Sequence, residues 1–414
     1  MAGPEGGLEG LCSLYIHIPF CAGICDYCDF YSIPVTGGDP RLDAYVDALL
    51  ADTEYILAAF GIGHVPTLYL GGGTPSLLGA ERIGCLLTGL LSLLPNLPLE
   101  ITVEANPESA DEPFLAACHA GGVTRLSLGV QTFHEPSRRL VRRVGEGALL
   151  PSRLHLVREY FGAAFSADLI TGLPGQDRQT LRRDLEKLLS YTPGHISLYA
   201  LTVEAGTPLA AEPRVTALLP PTDEADRLWL MGRDVLEQAG YRQYEVSNFA
   251  LPGRESRHNI RYWRMENWLG LGPAASGTII DEGTGRGRRY TIAADVAAYL
   301  KAPVEDRVPR ERTLFPESLR SQEGKKPLVL AEDLDRIVLM KESCLMGFRT
   351  PSGPDGRLFR RRFGRDIGEC IPGTLERWRN RGLIRPDRPA LTREGLLFLD
   401  PFLAECFEEL APTL

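Results

Sequence analysis

The stretch Tyr15-Ile-His17-Ile-Pro-Phe-Cys21-Ala-Gly-Ile-Cys25-Asp-Tyr27-Cys28-Asp29-Phe30 decides how the rest of the chain is read. Its first half belongs to a β-rich run, Ser13–Phe20, and its second half sets three cysteines in the loop that follows. Thiolates are soft ligands that suit iron–sulfur clusters, zinc or Cu(I). Three thiolates on a four-iron cluster leave one iron open to a substrate or cofactor. A structural zinc site closes with four ligands, and His17 is close enough in sequence to be the fourth. The spacing alone leaves both readings open.

Working outward, five more β-rich runs follow: Thr67–Gly71, Glu100–Val103, Arg125–Val130, Phe165–Thr171 and Ile196–Val203. Amphipathic stretches such as Leu42–Phe60, Arg82–Leu94 and Leu181–Leu189 lie between them. Leu126-Ser-Leu-Gly-Val130 and Ala167-Asp-Leu-Ile170 are nearly continuous apolar segments, the pattern of strands buried on both faces. Six strand–helix units in series predict an α/β fold with a parallel sheet, open or curled into a partial (β/α)6 barrel. Chemistry is expected at the C-terminal ends of its strands. The unusual residues fall there: the cysteines after the first run, Gly71-Gly-Gly-Thr-Pro75 after the second and Glu104 after the third. Gln131 follows the fourth, and Asp168 lies inside the fifth.

These features divide the chain into residues 1–220 as the core and 221–303 as a region holding His258-Asn-Ile-Arg-Tyr262-Trp263. A Pro- and charge-rich linker or long loop is expected over 304–327. Residues 328–414 are expected to form a smaller, mostly helical domain with a β-wing, winged-helix-like in character. Within it, Arg357–Arg393 carries eleven Arg against four acids, a local basic patch expected to face solvent or an anionic partner rather than nucleic acid.

The whole chain of 414 residues has 45 basic and 54 acidic residues, a net charge of -9, which disfavours a generally basic nucleic-acid binder. With 44% hydrophobic and 24% charged residues it reads as an ordinary globular protein. No unbroken apolar run reaches the ~18 residues of a membrane span, and no positive segment leads an apolar one at the N-terminus, so a cytoplasmic placement is expected. Six cysteines outside the triad are scattered among apolar neighbours, as small buried hydrophobes are.

Several residues suit a small polar ligand. Glycines such as Gly72 and Gly73, with Thr74, let backbone approach a zwitterion closely, although a tight turn gives the same sequence. Glu104 at a strand end can hold ribose hydroxyls or a cation, or cap a helix. Gln131 and Asp168 interrupt buried strands and therefore need partners, either a ligand or a structural network.

Tyr15-Ile-His-Ile-Pro-Phe-Cys21 together with Cys25 and Tyr27-Cys28-Asp-Phe30 resembles the radical SAM superfamily, and within it the coproporphyrinogen-dehydrogenase-like branch. The resemblance runs from Leu14 to about Gly277, and more weakly beyond. It implies a 4Fe–4S cluster on Cys21, Cys25 and Cys28, with S-adenosylmethionine (SAM) on the open iron and a 5′-deoxyadenosyl radical as its product. It assigns Gly72, Gly73 and Thr74 to the methionine amino group and Glu104, Gln131, Arg143 and Asp168 to the cofactor pocket, with Tyr15, Tyr27 and Asp29 flanking the cluster. The family often shows Leu-Gly-Arg-x-His where this chain has Val141-Arg-Arg-Val-Gly145, so the local loop is expected to differ.

The decarboxylase of this branch carries a fourth cysteine two residues after the third, where this chain has Phe30, and a longer segment before the cluster. Both differences resemble the shorter HemW-type heme chaperones. That resemblance implies heme binding with His258 as axial ligand, an acceptor hemoprotein that is membrane-associated in one reading, an electron donor, and a homodimer supported by the cluster. Oxidative decarboxylation of coproporphyrinogen is the alternative activity. Ser256 and Ser276 stand where many relatives have Cys and His, which counts against covalent heme attachment.

Overall fold

The computed structural model describes residues 10–309 and 327–411. Six neighbouring parallel strands follow in sequence order: Ser13–Ile18, Thr67–Gly72, Glu100–Ala105, Arg125–Gln131, Phe165–Thr171 and His195–Ala200. They are the six runs read from the sequence, wound with their helices into the partial barrel. Asp111 and Asp177 start two of those helices by accepting hydrogen bonds from the amides of Phe114 and Thr180.

The strands are not apolar on both faces. They alternate. Leu14, Ile16 and Ile18, then Leu68 and Leu70, Ile101 and Val103, Leu126 and Leu128, Ala167 and Leu169 all join the main apolar core under the helices. Their neighbours Ser13, His17, Thr67, Glu100, Thr102, Arg125, Ser127, Ser166, His195 and Ser197 are as deeply buried but polar, and they line the lumen. The apparent continuity of Leu126-Ser-Leu-Gly-Val130 arises because small residues at lumen positions look neutral in a sequence window. Each large aliphatic side chain on the helix face contributes ~1.5–3 kcal/mol of burial. The lumen contributes geometry.

The sheet also extends further than the sequence suggested, to twelve strands among the described residues. Trp268–Leu271 adds a parallel strand beside Ser13–Ile18, and Ser276–Asp281, Arg286–Ile292 and Val329–Leu334 continue antiparallel from it. Helical pattern was expected from residue 328, yet the segment opens with a strand. Its polar residues pair across the ladder, Asp333 with Arg288 and Glu332 with Arg289 at 3.3 Å. At the start of the expected linker, Val304–Arg307 is a short helix, and Arg307 reaches buried Asp52 at 2.7 Å. Residues 310–326 of that linker lie outside the described residues.

A second apolar cluster centres on Phe348, Phe359, Phe363, Trp378 and Phe402, within the helices Arg336–Gly347, Gly356–Phe363, Pro372–Asn380 and Leu399–Glu409 and the residues between them. The wing reduces to one antiparallel bridge, Ile384 to Leu391. The basic stretch is partly neutralised, by acids within its own sequence window and by others from outside it. Arg362 and Arg361 pair with Glu282, Arg377 with Glu405, and Arg393 with Asp234 and Glu237. A sequence window of +7 is therefore not a surface field of +7.

By length and hydropathy Pro75–Leu93 reaches the measure of a membrane span. Its Ile83, Leu86, Leu87 and Leu90 lie on one face, buried in the barrel core, as an outer helix requires.

Candidate functional site

The three cysteines sit where the first strand ends, and side chains from the neighbouring strand ends hold their loop. Thr74 shares a hydrogen bond with Cys21 Sγ at 3.2 Å and accepts one from Asn106 at 2.9 Å. Arg143 donates to Cys25 Sγ at 3.5 Å, and at 2.7 Å to both Asn106 Oδ1 and the Gly129 carbonyl. Asn106 thus ties the loops after the second and fourth strands to the cysteine loop. Sequence reading passed over it, because one Asn before Pro107 looks like a turn residue.

All three thiols are free. Burial pushes Cys28 up to about 11 and Cys21 upward. Binding as thiolates therefore requires a strong Lewis acid to displace the protons. Among the described residues no three His, Cys, Asp or Glu side chains converge on a single-ion site. A polynuclear cluster spreads its ligands around a larger body, so it does not need that convergence. The zinc reading also loses its fourth ligand: Tyr15 Oη contacts His17 Nδ1 at 2.9 Å, and the Tyr31 carbonyl contacts Nε2 at 3.1 Å.

The glycine run is required by close approach. A Cβ on Gly72, at φ +105°, would lie 2.4 Å from the His17 ring, and one on Gly73 would lie 2.7 Å from the Ile18 carbonyl. The amides here are already engaged. Gly72 N donates to Glu104 at 3.0 Å, Gly73 N to Ile18 O at 2.9 Å and Thr74 N to Phe20 O at 2.7 Å. The Thr74 carbonyl accepts from Leu77 N at 2.9 Å, so what the segment has left to offer a ligand is the glycine carbonyl oxygen, which suits an ammonium group.

Glu104 accepts from Tyr69 Oη at 2.6 Å, and Ser127 donates to Asp168 at 3.5 Å. Burial raises the Glu104 carboxyl from 4.5 to about 7 and raises Asp168 as well. Between those two values the folded chain holds a proton that the unfolded chain releases. The stability Glu104 confers is thus complete below 4.5 and fades as pH rises through about 7. Glu104→Gln should flatten that decline, by up to on the order of 1 kcal/mol per pH unit. Thermal unfolding followed from acid to neutral pH checks it.

Several polar atoms near the cysteines are buried without partners: Tyr27 Oη, Gln131 Oε1, Arg143 Nε and both carboxylate oxygens of Glu108. Gln131 is also held at φ 65°, a left-handed conformation rare for a side chain larger than glycine. Such atoms are what a pocket built for a polar cofactor leaves open. Asp29 is exposed, and among the described residues no hydrogen bond or ion pair ties its side chain to the site.

Where the family pattern has Gly, Arg142 takes φ 46° and pairs with Asp26 at 2.6 Å. The loop keeps its left-handed residue although the glycine is gone. Arg142→Gly should be nearly neutral. It relieves ~1 kcal/mol of backbone strain and loses an ion pair worth a similar amount, which urea unfolding can resolve.

His258 sits elsewhere than the sequence suggests. It was expected to present a ring nitrogen to heme, but it lies at the opposite end of the barrel and is 1% exposed. Its Nδ1 contacts Thr67 Oγ1 at 2.8 Å and its Nε2 contacts Tyr262 Oη at 2.9 Å. Its ring stands 5.0 Å from that of Tyr69. Glu100 accepts the amides of Arg257 and His258, each at 2.9 Å, and so seats the helix Arg257–Trp263. Ser256 caps that helix, and Ser276 bonds Thr291 at 2.7 Å. The His-Asn-x-x-Tyr-Trp motif forms the floor of the barrel. Burial also drives His258 down to about 3, so its imidazole is neutral.

A parallel partial barrel with a three-thiol loop at its C-terminal mouth defines a radical SAM type of protein, and the comparisons agree. The Radical SAM superfamily model matches residues 15–188. The Heme chaperone HemW of Lactococcus lactis is 37% identical over 72% of this chain and 76% of its own length. That of Bacillus subtilis is 31% identical over 93% of this chain and 96% of its own. The mitochondrial Radical S-adenosyl methionine domain-containing protein 1 of Mus musculus is 36% identical over 82% of this chain and 74% of its own. Among solved structures, coproporphyrinogen III oxidase (HemN) of Escherichia coli shares the fold, with a TM-score of 0.75 at 23% identity over 96% of this chain and 90% of that one. The chain belongs to the radical SAM superfamily, in the family of the HemW heme chaperones.

Proposed function

We propose that this chain is a cytoplasmic heme chaperone: it binds heme beside a 4Fe–4S cluster and SAM, and passes the heme to an acceptor hemoprotein. The observation that carries this reading is the likeness to HemW proteins over up to 93% of the chain. Family membership implies the cluster and SAM, and the orphaned polar atoms at the mouth fit them. Cys21, Cys25 and Cys28 would hold the cluster. The glycine carbonyls of the Gly72–Thr74 segment would take the SAM ammonium, and Glu104, Gln131, Arg143 and Asp168 would line the rest of its pocket. When bound, the pair supplies one-electron cleavage of a sulfonium, for which an electron donor is needed. The chain's own part is to orient both and to keep water from the lumen.

In this reading heme sits at the same mouth and not at the floor. The Leu209 amide donates to the Asp26 carbonyl at 2.9 Å, so the segment after the sixth strand returns to the cysteine loop. Phe30 and Tyr199, 66% and 43% exposed, give that rim apolar surface suited to a flat macrocycle. A homodimer would cover part of this rim.

The second reading is oxidative decarboxylation of coproporphyrinogen, favoured only by the shared fold with HemN. Reconstituted protein with SAM, a reductant and coproporphyrinogen III separates the two. The chaperone reading expects no carbon dioxide and no change in the porphyrinogen, and steady turnover would replace it with the enzyme.

A further inference from the structure

We propose that the floor of the barrel carries a binding site for a small oxyanion, a phosphate or a short carboxylate, between Arg125, Arg254 and Arg257. These residues line a cleft of about 200 Å³ beneath the strand starts, at the end opposite the cysteines. Arg125 is the first residue of its strand and is 7% exposed. Its Nε is buried without a partner. A guanidinium cannot shed its charge, and burying one unpaired is costly.

Several other polar groups of the floor satisfy one another, although Arg261 Nη2 is buried without a partner as well. His195 joins Ser166 at 2.7 Å to Tyr244 at 2.8 Å. Arg261 bonds Ser13 at 2.6 Å and pairs with Glu266 at 2.6 Å. Glu100 faces the same cleft, but its oxygens already accept from the amides of residues 257 and 258 and from Ser256. Glu255, half-buried, can balance one of the three cations. Arg254 and Arg257 are exposed and, among the described residues, make no ion pair or side-chain hydrogen bond.

Three arginines therefore line one cleft, a setting that suits a compact anion. One fork rises from a strand and two come from the segment crossing below. Planar forks bind oxygen pairs of carboxylate or phosphate. The rival explanation is that Arg125 only offsets the charges of Glu104 and Asp168 farther up the lumen. Charge balance of that kind needs neither Arg254 nor Arg257 and no small anion.

The test is calorimetric titration of the full chain with inorganic phosphate and, separately, with succinate, ionic strength being held constant with sodium chloride. Saturable one-site binding of either probe is expected, weakened at least tenfold in Arg254→Ala/Arg257→Ala. Both changes lie on the surface, and iron content and SAM binding should be unchanged. Arg125→Gln should lose binding as well, with its folding checked by thermal unfolding. Binding of neither probe, or equal binding in the double variant, would overturn the site. Which probe binds tells phosphate from carboxylate. The outcome is independent of the chaperone reading, which concerns the other end of the barrel.

Discussion

Replacing Cys25 with serine is expected to lower iron in anaerobically reconstituted protein from about four atoms per chain to near none, with the fold retained. Cys25 is buried and accepts a hydrogen bond from Arg143, which also binds Asn106 and Gly129. Serine keeps the size and an acceptor for Arg143. It is a poor ligand for iron, because its hydroxyl does not ionise at neutral pH and oxygen is harder than sulfur. Iron and sulfide assay with circular dichroism decides the matter. Full iron content in the variant would mean that the metal sits elsewhere. The same loss is expected for Cys21→Ser and Cys28→Ser, since the described residues offer no spare thiol in this loop.

The second large effect is on stability. His258→Ala should destabilise the chain by about 3 kcal/mol or more, through two unmade hydrogen bonds and a cavity under Tyr69. His258→Gln, which can still bond Thr67 or Tyr262, should lose less than half as much. An axial heme ligand on an open surface would show the reverse pattern, with little loss of stability and complete loss of the heme band. Urea unfolding of the two variants measures the difference.

Much of the fold was legible because parallel strands end abruptly in small or polar residues. Gly71-Gly-Gly, Glu104, Gln131 and the cysteines each mark a strand end, and the structure puts all of them at one mouth. The antiparallel extension was not legible. Trp268–Leu271 is four residues long, and its partner in the ladder lies at the far end of the core sequence, at Ser13–Ile16. Short strands are specified by partners and not by their own pattern.

The site was legible where residue type limits chemistry, as in a cysteine triad. It was ambiguous at His258, where a motif of His with aromatics has the same sequence whether it greets a ligand or seals a floor. The residues that decide between these, Thr67 and Glu100, are 191 and 158 positions away. How far the basic stretch is offset was hidden for the same reason. Glu282 and Glu405 pair with part of it from outside the window.

This chain is expected to bind one heme at the cluster mouth without using His258. Hemin titration of anaerobically reconstituted wild type and His258→Gln, followed by absorbance, is the test. The predicted result is saturable one-site binding with the same Soret band and the same affinity in both. No saturable binding in the wild type would contradict the chaperone reading, and a band lost only in the variant would return His258 to the heme iron.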